Sequence, residues 1–118
     1  MLDFYKFRKN IWLNFYIVVE YNNKGAKFME QYIFPAVFFQ EEGEDDYTVV
    51  FPDLNIFTDG KSLVEAFLFA KDYLKVYCTY AKKYELDIPT PSKLTDIIAR
   101  FPKATCMLVD ALVPEVVE

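Results

Sequence analysis

One segment constrains this chain more than any other: residues 62–83, set between two blocks of β-prone sequence. Ser62 and Glu65 have the spacing of a capping box, in which each side chain meets the other residue's free backbone N–H at a helix start. Leu63, Ala66, Phe67, Ala70, Leu74, Tyr77 and Ala81 then recur at helical spacing and form one apolar stripe. Lys71, Asp72, Lys75, Lys82 and Lys83 lie mostly off it, and the late lysines suit the negative end of the helix dipole. Pro89 lies beyond the stop. Such a stripe must be buried against another layer, and the flanking sequence supplies a sheet.

Before the helix, residues 32–40 read as a strand, with Pro35 tolerated near its start or at an edge. Glu41-Glu42-Gly43-Glu44-Asp45-Asp46 is a polar turn, residues 47–51 are a second strand, and Pro52 ends it, which together make a hairpin. Asp53-Leu54-Asn55 turns the chain into a short third strand, Ile56-Phe57-Thr58, and Asp59-Gly60 marks the next turn. After the helix, residues 87–92 form an extended connector. Ser92 is placed to cap a short helix over 93–100, ending before Pro102. Residues 105–112 are a nearly continuous apolar run, which predicts a strand covered on both faces.

The order is β-β-β-α-(α)-β. It predicts an α+β fold: a mostly antiparallel sheet of about four strands with one long helix packed on it. A helix between two strands of one sheet predicts a right-handed crossover. Residues 29–112 are the expected domain and 113–118 a tail. Residues 1–28 differ in character. Tyr5-Lys6-Phe7-Arg8-Lys9 is basic and aromatic, residues 11–19 are strongly β-prone, and Asn22-Asn23-Lys24-Gly25 reads as a turn. This extension is either an added strand or an arm that pairs with another chain. Lys24-Gly25-Ala26 can also be encoded by a purine-rich, ribosome-binding type of sequence shortly before Met29, which would make the first 28 residues an upstream leader.

Composition removes several function classes. With 118 residues the chain suits one domain of modest core. It has no histidine, which excludes His-based acid/base catalysis, Ser-His-Asp and Cys-His nucleophiles and His metal sites. A net charge of −5 argues against a nucleic-acid surface and favours a basic protein partner. Cys78 and Cys106 lack metal-ligand spacing and read as buried free thiols in a reducing, cytoplasmic setting rather than as a disulfide. No stretch is long enough to cross a bilayer as a helix, and no cofactor or metal is expected.

Phe34-Pro35-Ala36-Val37-Phe38, Tyr47-Thr48-Val49-Val50-Phe51-Pro52-Asp53-Leu54, Phe57-Thr58-Asp59-Gly60, Leu63-Val64-Glu65-Ala66, Ile88-Pro89-Thr90-Pro91-Ser92 and Leu108-Val109-Asp110 stand in a telling order. In that order and spacing the chain resembles the HicB antitoxin family. A single Asn55 stands where the family usually has Pro-Gly. The resemblance implies a partial RNase H-like fold. It also implies a partner, the HicA toxin, a small basic ribonuclease that cuts mRNA and is neutralised by direct binding. Family members usually carry a C-terminal DNA-binding segment. Only 113–118 follow Leu112, without a basic residue, so operator binding is not expected of this chain unless Lys6, Arg8 and Lys9 supply it. The alternative is an orphan HicB-like structural or regulatory domain without a toxin.

The candidate partner-binding residues are the acidic turn, Glu41, Glu42, Glu44, Asp45 and Asp46, with the adjacent Tyr47 and Asp53. The ordinary reading of the acids is a solvated turn. Phe51 and Phe57 read as core, while Tyr73, Tyr77, Tyr80 and Tyr84 read either as a core edge or as a helix contact between subunits. An exposed sheet edge invites self-association, so a homodimer is expected. An enzyme is not: the carboxylates Asp110 and Glu65 sit at positions compatible with two-metal chemistry, but the strand 32–40 supplies no acid. Asp110 reads as a strand-end hydrogen-bonding residue.

Overall fold

The computed structural model describes the backbone of residues 7–9, 15–22 and 25–114 and the side chains of residues 29–114. The elements run β1 (Phe7–Lys9), β2 (Phe15–Asn22), β3 (Gly25–Gln40), β4 (Tyr47–Phe51), β5 (Ile56–Gly60), α1 (Leu63–Lys83), α2 (Leu94–Arg100) and β6 (Thr105–Pro114). The centre is an antiparallel sheet in the order β6-β3-β4-β5, with α1 packed on one face, which is the α+β arrangement that the element order predicts. Residues 1–6, 10–14, 23–24 and 115–118 lie outside the described residues, and with them Tyr5, Lys6, the tip of the 22–25 turn and most of the tail.

β3 is longer than the sequence suggests, with 16 residues rather than the stretch 32–40. At ~3.3 Å per residue it accounts for the long axis of the molecule, which is 54 Å. β6 pairs with one side of β3 from Met29 to Phe38. On the other side, among the described residues, β2 pairs up to Gln31 and β4 from Val37. Pro35 lies between these two ladders, opposite Leu108 of β6.

Side chains alternate across a strand. Tyr32, Phe34, Ala36 and Phe38 of β3 face α1 and meet Val49, Phe51, Val109, Ala111, Val113, Ala66, Ala70, Leu74 and Cys78 in one core. Each large side chain buried there contributes about 1.5–3 kcal/mol. All seven residues of the helix stripe read from the sequence are buried or half-buried. The capping box forms with one change: Ser62 Oγ accepts from Glu65 N–H at 3.1 Å, while the Glu65 carboxylate accepts from Lys61 N–H rather than from Ser62. α1 ends in a Schellman motif, with Leu86 N–H on Ala81 O, Glu85 N–H on Lys82 O and Glu85 at φ 54°.

Five expectations are corrected. β5 and β6 lie at opposite margins of the core sheet and run antiparallel, so the crossover rule for parallel strands does not apply. β5 continues through Asp59 and Gly60, which pair with Thr48 and Tyr47 instead of turning. Ser92 does not cap α2; Lys93 holds that position with no side-chain bond, and Ser92 is bonded to Asp53. β6 is not covered on both faces: Val109, Ala111 and Val113 are buried, but Leu108 is 50% exposed. The face of the sheet away from α1 is apolar yet only partly covered. Pro35 and Val37 are fully buried there, and among the described residues the covering element is α2, which packs on β6 and β3 and buries Ile97. Phe57 lies on the same face and is 70% exposed, so it is not core.

Candidate partner-binding surface

The acidic turn joins β3 to β4. Gly43 takes φ 81°, a left-handed conformation that glycine adopts without strain, and Glu44 N–H closes the turn on Glu41 O at 2.9 Å. Gln40 Nε2 donates to Asp45 O at 2.9 Å and ties the far side. Glu41, Glu42, Glu44, Asp45 and Asp46 are all exposed, and none takes part in an ion pair among the described residues. Five carboxylates thus stand on a short, hydrogen-bonded loop with no cation among the described residues paired to them. Chemically this is a site for a basic surface, through long-range attraction and charge-assisted hydrogen bonds.

Tyr47 and Asp53 sit differently. Tyr47 is half-buried at the start of β4 and packs on the core cluster. The Asp53 carboxylate accepts from Ser92 N–H at 2.8 Å and from Ser92 Oγ at 2.5 Å, so it holds the connector before α2 against the β4–β5 turn. The structure therefore gives Tyr47 a packing role and Asp53 a latching role, and places only the five turn acids on open surface.

The two carboxylates considered for metal chemistry are each committed elsewhere. Glu65 serves the helix start. Asp110, in the middle of β6 rather than at its end, accepts from Lys71 Nζ at 2.7 Å and from Gln31 Nε2 at 3.1 Å. Lys71 Nζ holds the Asp110 carboxyl below the usual carboxylate range, against the opposing effect of partial burial and with help from Gln31. Among the described residues no group of three Asp, Glu or Cys side chains comes together as a metal ion would require.

Because Asp110 is more acidic in the folded chain than in the unfolded one, its contribution is present above the ordinary carboxylate pKa of ~3.9 and is lost as pH falls through the folded value. Lys71→Met is expected to bring the Asp110 pKa up toward that ordinary value. Both partners are more than a third exposed, 38% and 39%, so the stability loss at neutral pH is only a few tenths, about 0.2–1 kcal/mol. The loss disappears under acid conditions where Asp110 is protonated in both states. Carboxyl NMR titration with urea unfolding at two pH values checks both statements.

A charged cluster that the sequence did not signal lies under the end of α1. Glu30 is 3% exposed; its Oε1 accepts from Lys82 Nζ at 2.6 Å and from Tyr32 Oη at 2.8 Å. Lys82, Tyr32 and the connector residues Glu85, Asp87 and Pro89 line a cleft of ≈ 420 Å³ beside β3. Both cysteines are free thiols, as composition suggested, Cys78 buried and Cys106 half-buried. Burial, with the nearby Glu30 charge, pushes the Cys78 thiol up to about 12, while burial alone pushes Cys106 up. Cys78 is accordingly expected to resist a thiol reagent at pH 8 until denaturant is added, with Cys106 reacting first. A reagent titration of the native and unfolded chain reads this directly.

No helix among the described residues is long and apolar enough to cross a membrane. No protein-family model and no curated protein matches the sequence. Among solved structures, the fold is similar to a chain of a "Toxin-Antitoxin complex from Streptococcus pneumoniae", with a TM-score of 0.60 and 21% identity over 69% of this chain and 69% of that one. At that identity the likeness is one of fold.

Proposed function

We propose that this chain is an antitoxin-like binding protein of HicB type. It neutralises a small, basic, mRNA-cleaving toxin of HicA type by direct binding, acts without catalysis of its own, and works as a homodimer in the cytoplasm. The observation that carries this reading is the fold shared with a chain of a toxin–antitoxin complex. The order of motifs that resembles the HicB family supports it, and so does the open acidic turn on a chain of net charge −5. Masking is steric and electrostatic: the acids steer a basic partner into contact, and the surrounding surface covers its RNA-binding face.

The partner is therefore expected to feel the turn through its association rate. Reversing Glu41, Glu42, Glu44 and Asp45 to lysine should slow association at low salt by roughly 10–100-fold. The fold should be unchanged, because these side chains are exposed. Stopped-flow or surface binding to the co-expressed toxin, across a salt series, makes the measurement. An association rate that ignores both the reversal and the salt would remove the acidic turn from the interface.

A further inference from the structure

α1 carries a second apolar stripe besides the buried one. Phe69, Tyr73, Val76 and Tyr80 follow one another at spacings of 4, 3 and 4, the rhythm of a coiled-coil seam. They are exposed by 44%, 38%, 62% and 58%. At ~100° per residue they lie on the flank of the helix away from Lys71 and Lys82. Those two lysines reach Asp110 of β6 and Glu30 of β3. The seam therefore faces the margin formed by β5, which among the described residues pairs only with β4. Tyr84 continues it and packs on Tyr80 with ring centroids 4.6 Å apart.

We infer that this seam is the dimer surface: α1 of one copy pairs antiparallel with α1 of a second copy, Phe69 opposite the other Tyr80 and Tyr73 opposite the other Val76. This deepens the self-association part of the function proposed above and names its surface. Two observations favour a second copy in that direction. The spacing asks for another helix with the same rhythm, and a twofold axis supplies one with no new chemistry. The charges bordering the seam are graded, with Glu65 and Asp72 towards the start of α1 and Lys83 at its end. Antiparallel pairing sets the acidic end of each helix against the basic end of the other and opposes the two helix dipoles. Parallel pairing would set like against like. A seam of this length buries less than about 1,200 Å², so the dimer is expected to dissociate in the micromolar range.

The test is sedimentation of the full chain alone over roughly 1–100 µM, with no toxin present. The parent is expected to pass from monomer to dimer. Val76→Glu should weaken the dimer at least tenfold, roughly, because it sets a charge at the seam centre. Val64→Glu, as exposed at 69% but on the other flank of the same helix, should leave it intact. Tyr80→Lys is a second seam variant, and circular dichroism shows whether each remains folded. Direction is read by cross-linking in a Cys106→Ser background. Val76→Cys should form a dimer readily, since the two copies lie ~4.5 Å apart along the axis, and Phe69→Cys should not, at ~16 Å.

A parent that stays monomeric overturns both this surface and the self-association reading. A dimer indifferent to Val76→Glu and Tyr80→Lys overturns the surface alone. Equal cross-linking at 69 and 76 overturns the antiparallel direction. A monomer that loses toxin binding on Val76→Glu assigns the seam to the toxin, against the inference.

Discussion

Replacing Lys82 with methionine is expected to destabilise the fold by about 3–5 kcal/mol. Methionine keeps the length of the aliphatic stem, so little packing is lost. What is lost is the cation. Glu30 is 3% exposed and, among the described residues, would keep only the hydroxyl of Tyr32, whose bond to Glu30 is 2.8 Å. A buried carboxylate without its counter-charge is costly because its hydration is gone. The double variant Glu30→Gln with Lys82→Met should recover most of the loss, since neither partner is then left charged and alone. Urea unfolding of the parent, the two single variants and the double one gives the coupling. Equal and additive single effects would show that the pair contributes nothing beyond its packing.

Gly60→Ala is the second expected large effect, at least about 3 kcal/mol, the upper end of the cost of overpacking. Gly60 ends β5 where α1 begins. A Cβ at that position would lie 2.5 Å from Ala66 N and 2.7 Å from Ala66 Cα. Both are backbone atoms of a buried helical turn, so no side chain can swing aside. Gly43→Ala is the contrast: its Cβ meets open space, and only its positive φ of 81° resists substitution. That change should cost about 1–2 kcal/mol. Thermal unfolding of the two variants separates a close approach from a backbone preference, and a Gly60→Ala protein as stable as the parent would contradict the packing of β5 on α1.

The helix was legible because its signals are local. A capping box, a stripe and a cluster of late lysines sit within one segment, and the seven stripe residues are all buried or half-buried, with Cys78 beside them. The hairpin was legible for the same reason: its turn residues adjoin its strands. The start of β3 was not, because Met29-Glu30-Gln31 carries no β pattern of its own and is held by β2 on one side and β6 on the other. The run 105–112 was misread because an apolar run does not say whether both of its faces are covered; here α2 covers only part of the second face. Phe57 was misplaced by the same ambiguity.

The acidic turn is where the sequence put it, open and unpaired with any cation among the described residues. Asp53 and Ser92 both stood out in the sequence, but for other roles. They are 39 positions apart, and nothing local announces that they bond. Glu30 with Lys82 was missed entirely, since a carboxylate near a chain turn and a lysine late in a helix each have an ordinary exposed reading. The seam of α1 was half seen, as tyrosines on neighbouring helical positions. Its direction and its partner flank became readable only when Lys71 and Lys82 fixed the orientation of the helix on the sheet.

Native mass spectrometry of the complex formed by the full chain in its own host, isolated at low salt, decides whether the chain acts as an antitoxin. The expected result is a stoichiometric complex with a small basic protein that cleaves mRNA once separated and stops when this chain is returned. A chain that emerges alone or only paired with itself, under the same conditions, would contradict the antitoxin role and leave a fold of this kind without a toxin.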